Sequence, residues 1–351
     1  MDYVNSDKIS EEDAMALYLI EERANPESRF RTWFPLMPTE FESPPFFNQD
    51  ELKLLKGDDI YQKAVNARRT YRRSFQRIQE NTQEKMKYED YVWAKHMIES
   101  RAWHLRGKQY LVPMADFFNH RPHPSVKYED YVPDMRGEFF EKHHRVTDCC
   151  AEIVADRDAE KGSQVYETYG DNTNYIYFMY HGFIPDENPY ECVDLDLPDL
   201  FYDLNNDDND ADKTELQLVR SNRIQVAKAL GFRQPSLCVR DEVKMFEQIV
   251  SYMRARALDD SDSFKACRNA QDTYTAKSLR SCVPTFDATP LHNVLRKKLK
   301  KYKKRSKSLD NDTLNNRERW AIRYVDVRKG ILKSLLDYIK TEVVTSMKSD
   351  L

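Results

Sequence analysis

Glycine is scarce in this sequence, and its placement limits the folds that the chain can adopt. Only 8 of the 351 residues are glycine, whereas average proteins contain about 7%. No two of these glycines form G-x-G, G-x-G-x-x-G or G-x-x-x-x-G-K, the turns that bring backbone against phosphate in dinucleotide and nucleoside-triphosphate sites. A Rossmann fold and a P-loop fold are therefore disfavoured.

Length and composition predict a soluble protein of two structural units. A chain of 351 residues is long enough for about two domains of roughly 150 residues each. No run approaches the roughly 18 to 20 apolar residues that a membrane-spanning helix needs. The first residues, Met1 to Glu12, are acidic and polar and do not resemble a secretory signal. We expect an intracellular protein, cytoplasmic, nuclear or both, without a membrane partner.

The cysteines give no sign of a metal site. None has the C-x-x-C spacing of a zinc site or a redox motif. In an intracellular protein such cysteines are expected to be reduced thiols, so we predict no metal and no disulfide. The six cysteines are Cys149, Cys150, Cys192, Cys238, Cys267 and Cys282.

Helical patterns occupy both ends of the chain, and a β-prone region separates them. Ser10 is predicted to cap the first helix, and apolar spacing predicts further helices over 60–78 and from 88 to about 101. Short β-prone runs alternate with polar turns over 109–183. After the acidic stretch 203–212, which we interpret as a solvated linker, helical spacing resumes.

A short helix is predicted near the end of the β-prone region. Asp171 or Asn172 can cap it, and it should run through Tyr180. Gly182 follows at the position where a left-handed residue commonly ends a helix.

Three short segments carry the residues that are candidates for chemistry. Each has an ordinary explanation when taken alone: Arg101 can complement a helix dipole, His120 can be a buried core histidine, and Tyr169 can end a strand. In their order and spacing they resemble the SET domain, specifically the branch with the Rubisco large-subunit lysine methyltransferase and the actin-histidine methyltransferase. The segments are Ser100-Arg101-Ala102-Trp103, Met114-Ala115-Asp116-Phe117-Phe118-Asn119-His120, and Val165-Tyr166-Glu167-Thr168-Tyr169-Gly170 followed by Asn174.

The resemblance covers nearly the whole chain and implies an α+β fold. It implies a SET β-domain over 1–188, with a helical insertion at about 10–99 and the catalytic part at about 100–188. An all-α, Rubisco-methyltransferase-like substrate-binding domain would follow over 189–351. Besides the three segments, the matching residues are Leu17 to Glu22, Ser28, Trp33, Pro38, Glu40-Phe41, Pro45, Glu51, Leu52, Trp93-Ala94 and the helix ending in Arg323 to Leu335.

The resemblance also implies a cofactor, a substrate and a set of site residues. The cofactor is S-adenosylmethionine, whose methyl group is attacked in line by a nitrogen of a protein side chain, so that alignment and exclusion of water dominate catalysis. By resemblance, Tyr169 is the catalytic residue. Arg101, Asp116, Asn119 and His120 belong to the cofactor pocket, and Trp103, Tyr166, Tyr175, Phe178 and His181 line the substrate channel.

The sequence departs from the family pattern in two places. The family carries a G-x-G turn upstream of the helix matched by Ala14 to Glu22, and no such turn is present here. The SET domain is therefore expected to be partial at its N-terminus and to bind the cofactor weakly. A catalytically degenerate or truncated protein-binding module is the alternative to an enzyme. His181 stands where lysine-modifying relatives usually have tyrosine, whereas the aromatic Trp103 favours lysine over histidine as the substrate.

A basic cluster lies in the C-terminal half, over residues 296–307. A solvated helix face is the simplest explanation, and a docking surface for an acidic protein partner or a nuclear import signal comes next. Nucleic acid ranks third, because the net charge of the chain is -4.

Overall fold

The chain forms two compact units. The first comprises residues up to 53, 59–190 and 315–320, and the second comprises 54–58, 191–314 and 321–351. The predicted boundary at 188/189 lies close to the change at 190/191, while the placement of the two short segments was not expected from the sequence. The computed structural model describes residues 9–82, 86–105, 107–120, 144–146, 150–153, 160–196, 213–232, 236–302 and 314–349.

The first unit begins with a group of helices around an apolar core. Helix α1 starts as predicted, because the Ser10 hydroxyl accepts the backbone N–H of Asp13 at 3.1 Å. The predicted helices α3 and α4 are also confirmed, and α1 packs against α4. The bounds are α1 Glu11–Ala24, α2 Gln49–Leu54, α3 Asp59–Asn81 and α4 Tyr88–Arg101.

A buried carboxylate joins three of these helices. Asp13, with its side chain only 1% exposed, accepts the Tyr91 hydroxyl at 2.8 Å and the Arg77 guanidinium at 2.8 Å. Lys95 adds a second cation at 3.4 Å. Such pairing offsets the cost of burying a charge and fixes α4, whose last residue is Arg101.

Short strands follow α4. Strand β1 (Trp103–Leu105) pairs antiparallel with β2 (Lys108–Tyr110), and β4 (His144–Val146) pairs antiparallel with β5 (Ala151–Ile153). Strand β3 (Asn119–His120) lies parallel to β6 (Tyr166–Glu167), with Asn119 opposite Tyr166. This pair brings together two of the three segments that resemble the SET domain, although 45 residues lie between β3 and β6 along the chain.

The predicted short helix is present but begins later and changes its winding. Helix α5 (Asn174–Ile176) has Thr173 as its N-cap, not Asp171 or Asn172, and continues as a π-helical turn over Tyr177–His181. Gly182 ends it with a φ of 77°, in the left-handed region as expected.

The second unit was expected to be all-α. Its described residues are mainly helical but also form an antiparallel pair of strands. Strand β7 (Val193–Asp196) pairs with β8 (Ser236–Val239). The acidic stretch 203–212 lies outside the described residues. No helix in the described ranges is both long and apolar enough to cross a bilayer. The helices are α6 Lys213–Ala229, α7 Val243–Arg256, α8 Ser261–Ala266, α9 Ala276–Cys282, α10 Thr289–Lys301 and α11 Asn316–Ser349, which belongs to this unit from residue 321.

The expectation of free thiols was wrong for this unit. Cys192 is joined to Cys238, and Cys267 to Cys282, with Cα–Cα distances of 5.2 and 5.3 Å. Cys150, in the first unit, is exposed. Sequence spacing could not reveal the first pair, because the pairing of β7 with β8 brings together cysteines that lie 46 residues apart.

Candidate active site

A large cavity in the first unit collects most of the predicted site residues. Its volume is about 1320 Å³, more than the roughly 300 to 1,000 Å³ of a typical ligand pocket. Its wall comes from the C-terminal end of α4, the β1–β2 hairpin, the parallel β3–β6 pair and the turn after α5. Six predicted residues line it: Arg101, Trp103, Asp116, Asn119, Tyr169 and His181.

Asp116 organises one side of the cavity. Its side chain is fully buried, and Arg101 Nη1 donates to its carboxylate at 3.1 Å and to its backbone carbonyl at 2.8 Å. The Trp33 indole N–H donates to the same carboxylate at 3.1 Å. A buried carboxylate paired in this way holds the guanidinium in one position, so Arg101 is a fixed charge at the cavity wall.

Tyr169 is fixed at both its backbone and its hydroxyl. Its backbone N–H donates to His120 Nδ1 at 3.0 Å, and its hydroxyl donates to the Phe118 carbonyl at 2.6 Å. Burial, with smaller contributions from nearby charges, raises the pKa of Tyr169 to about 12. The phenol is therefore a neutral group at neutral pH, held where β3 and β6 meet.

His120 supports Tyr169 and does not itself line the cavity. Because Nδ1 accepts the Tyr169 N–H, the proton of the neutral ring is on Nε2. Its ring packs against Tyr177, with ring centroids 4.7 Å apart. The sequence assigned His120 to the cofactor pocket. That role stays a prediction, because His120 packs against Tyr169 and is not among the residues that line the cavity.

Three residues predicted for the substrate channel do not line this cavity, and their role in a channel stays a prediction. Tyr166 is 42% exposed. The ring of Tyr175 contacts the Lys63 ammonium group, 4.0 Å from the ring centroid, and the buried ring of Phe178 packs on Phe47. For Tyr175 and Phe178 the helical winding of their segment is the reason, because it turns Ile176 and Tyr180 toward the cavity and these two rings away from it. Tyr166 lies outside that segment, in β6.

Sequence reasoning missed a buried histidine in the cavity wall. His96 lies on α4, and its Nε2 is 3.0 Å from the Ser43 hydroxyl. Its ring packs between the rings of Phe41 and Phe46, with centroids 4.4 and 4.7 Å away. Nothing in the sequence singled it out, because Ser43 and His96 are 53 residues apart and form no motif.

The protonation of His120 predicts how stability depends on pH. Burial lowers the pKa of His120 from 6.5 to about 4. The unfolded chain therefore takes up this proton at a higher pH than the folded chain, so the free energy of unfolding should fall as pH drops from about 6.5 to about 4. Above pH 6.5 the contribution of His120 is constant.

Urea unfolding between pH 7 and 4.5 checks this expectation. His120→Gln should weaken the pH dependence, although His181 contributes in the same direction. His104→Gln, a change at an exposed histidine, is the matched control and should retain the wild-type dependence. An equal pH dependence of the unfolding free energy in wild type and His120→Gln would contradict the contribution assigned to His120.

Comparison with solved structures shows that the chain has a known fold. The SET domain of LSMT bound to lysine and AdoHcy matches with a TM-score of 0.61 and 18% identity, covering 94% of this chain and 75% of that one. Rubisco LSMT bound to AdoMet matches with a TM-score of 0.58 and 17% identity, covering 97% and 77%. The α+β SET fold expected from the sequence is therefore confirmed.

Sequence relatives belong to the same branch and confirm the resemblance. Actin-histidine N-methyltransferase of Papio anubis is 27% identical over 52% of this chain and 31% of its own length. The chloroplastic [fructose-bisphosphate aldolase]-lysine N-methyltransferase of Arabidopsis thaliana is 26% identical over 53% of this chain and 40% of its own. No family model matches the chain. The matched region thus spans less than half the length of these curated relatives.

Proposed function

We propose that this chain, on the SET fold that it shares with the LSMT structures, transfers a methyl group from S-adenosylmethionine to a nitrogen of a protein side chain, with lysine preferred. The position of Tyr169 carries the proposal, because its hydroxyl is fixed at the wall of a cavity of about 1320 Å³. The protein methyltransferases among its relatives support the same reaction class. When bound, the cofactor supplies a methyl group on a positively charged sulfur.

The charge of the cavity wall fits this cofactor. The lining contains six carboxylates and one permanent cation, Arg101. Lys95 and Arg101 each neutralise one carboxylate, those of Glu12 and Asp116. The remaining negative charge favours a sulfonium ion and a basic acceptor side chain. Asn119 and the Arg101–Asp116 pair would hold the cofactor. The six carboxylates are Glu12, Glu40, Glu42, Glu99, Asp116 and Glu167.

The residues around Tyr169 suit an uncharged acceptor nitrogen. A lysine amine, with an unperturbed pKa of about 10.4, must lose a proton before it can attack. Burial is the largest cause of the raised pKa of Tyr169, and Trp103 lines the same cavity. Burial disfavours a charged group beside the Tyr169 hydroxyl, so a neutral amine is favoured there.

Peptide arrays and calorimetry test the proposed function. With saturating S-adenosylmethionine, the chain should label lysine-containing peptides and leave histidine-containing peptides unmodified, with mass spectrometry locating the methyl group. A methyl group on a histidine nitrogen would reverse the substrate preference. Absence of both cofactor binding and methyl transfer to any peptide would instead favour the non-catalytic binding module.

We also propose that the basic cluster docks an acidic surface of the protein substrate. Helix α10 exposes Arg296, Lys297, Lys300 and Lys301, and none of these four forms an ion pair within the described part of the chain. Residues 303–307 lie outside it. The double variant Lys297→Glu/Lys300→Glu should raise KM for a protein substrate with an acidic surface but not for a short peptide that lacks acidic residues, because only the former carries carboxylates that the cluster can bind. An unchanged KM for the protein substrate would contradict the proposed docking role of the basic cluster.

The intracellular location stays a proposal, and the two disulfides make it testable. Disulfides persist mainly in oxidising compartments and are rare in the cytosol. Counting free thiols in protein isolated from its native source, with and without prior reduction, distinguishes an oxidising compartment from a reducing one. An intracellular pool in reducing surroundings should show Cys192, Cys238, Cys267 and Cys282 as free thiols.

A further inference from the structure

The imidazole of His181 is a fixed part of the cavity wall beside Tyr169. Its ring centroid lies 4.8 Å from that of Tyr169 and 6.2 Å from that of Phe183. His181 ends the π-helical turn, and the next residue, Gly182, has a left-handed φ of 77°. A Cβ on Gly182 would meet the backbone carbon of Glu42 at 3.2 Å. The close packing of this glycine holds the backbone of His181 in place.

The imidazole of His181 is open to the cavity. The ring belongs to the cavity lining together with Ser100 and Tyr169. In the described ranges, the buried side-chain polar atoms that lack a partner belong to His96, Arg223 and Arg256. The ring nitrogens of His181 are not among them, so they are not sealed in the protein interior. An incoming group can reach the ring from the cavity.

The surroundings of His181 keep its ring uncharged. Burial, with smaller contributions from His96, His120 and Arg101, lowers its pKa to about 4. The neighbouring Tyr169 is a neutral phenol. A neutral imidazole has one N–H donor and one acceptor nitrogen. The ring nitrogen without the proton is therefore an open acceptor.

We propose that His181 determines which amines this site methylates, because its open nitrogen accepts a hydrogen bond from an N–H of the incoming amine. The proposal rests on the proposed function and names the acceptor that the site selects. The hydrogen bond turns the nitrogen lone pair toward the methyl group. The lone pair then forms the N–C bond, the S–C bond breaks with its electron pair left on sulfur, and the surplus proton on nitrogen passes to water.

This arrangement discriminates between amines by the hydrogens that they carry. In its neutral form lysine has two N–H bonds, monomethyl-lysine has one and dimethyl-lysine has none. Dimethyl-lysine would leave the acceptor nitrogen of His181 without a partner once water is excluded. Leaving a buried polar group unpaired lowers kcat/KM by about 10- to 100-fold, so methylation should stop at the dimethylated product.

Kinetics with small amines test the discrimination. The probes are free lysine and its Nε-monomethyl and Nε-dimethyl derivatives, at saturating S-adenosylmethionine. In the wild type, dimethyl-lysine should react about 10- to 100-fold more slowly than monomethyl-lysine. His181→Phe removes the acceptor and should abolish this ratio. His181→Gln, whose amide oxygen can accept, should restore most of it, and His292→Gln in the second unit is the matched control.

A binding measurement keeps the test independent of turnover and of the proposed function. Nitrogen NMR of the His181 ring should show a neutral tautomer at pH 7, with the acceptor nitrogen shifting on addition of lysine. Trimethyl-lysine, which has no N–H bond, should cause no such shift. Thermal unfolding of each variant separates a loss of folding from a loss of selectivity.

Two outcomes would overturn the role of His181: equal discrimination in wild type and His181→Phe, or identical ring shifts with lysine and trimethyl-lysine. Absence of methyl transfer to all amines and peptides, together with the lysine-specific shift, would refute the proposed function and leave His181 as an amine-binding group.

Discussion

Tyr169→Phe is expected to lower the rate of methyl transfer by at least about 10²-fold while barely changing cofactor affinity, the loss typical of removing one positioned group from a transition state. The substitution removes only the hydroxyl, which donates to the Phe118 carbonyl at 2.6 Å. It keeps the backbone hydrogen bond to His120. The loss should therefore appear in kcat, because the cavity wall otherwise stays in place.

Tyr166→Phe is the matched control for this prediction. Tyr166 is 42% exposed and does not line the cavity, although the sequence placed it in the substrate channel. Single-turnover methyl transfer and calorimetric titration with S-adenosylmethionine should show wild-type behaviour for Tyr166→Phe. A wild-type rate of methyl transfer in Tyr169→Phe would contradict the catalytic role of Tyr169. A loss of methyl transfer in Tyr166→Phe would support the substrate channel predicted from the sequence.

Asp58→Asn is expected to destabilise the second unit by about 3 kcal/mol, because removing one partner of a buried ion pair leaves the other charge uncompensated. The Asp58 side chain is 1% exposed and the Arg328 side chain 3% exposed, and Arg328 Nε donates to Asp58 Oδ2 at 2.8 Å. The Tyr302 hydroxyl donates to the same oxygen at 2.7 Å. Glu191, 3.4 Å from Arg328, compensates only part of the loss.

Asp50→Asn provides the control for this stability measurement. Asp50 also pairs with a cation, Lys53, but its side chain is 85% exposed, and exposed pairs contribute little. Urea unfolding should show a change within about 0.5 kcal/mol for Asp50→Asn. A similarly small change in Asp58→Asn would mean that the Asp58–Arg328 pair does not stabilise the unit.

Local patterns predicted the helices of the first unit well. Apolar spacing located α3 and α4, and the capping serine located the start of α1, because these features act within one or two helical turns. The strands were harder, since each has only two to four residues. Strands β3 to β6 lie inside the β-prone region predicted over 109–183 and β2 overlaps its start, whereas β1, β7 and β8 lie outside it. The partner of each strand was not predicted.

At the site, too, motifs predicted which residues lie together, whereas the orientation of other side chains depends on tertiary packing. The motif order predicted that Arg101, Asp116, Asn119 and Tyr169 lie together, and the structure brings all four to one cavity. Composition could not show which faces of α5 and its π-helical turn meet that cavity. For this reason the sequence could not show that Tyr175 and Phe178 do not line this cavity.

The sequence by itself determined the start of α1, the end of the π-helical turn at Gly182 and the residue types at the site, because each depends on neighbours within a few positions. Tertiary structure alone decided the parallel pairing of β3 with β6, the partner of each cysteine and the position of His96 in the wall. It also decided that residues 54–58 belong to the second unit, where Asp58 meets Arg328, 270 residues away. Contacts between distant segments depend on how whole elements pack, and no local pattern records that packing.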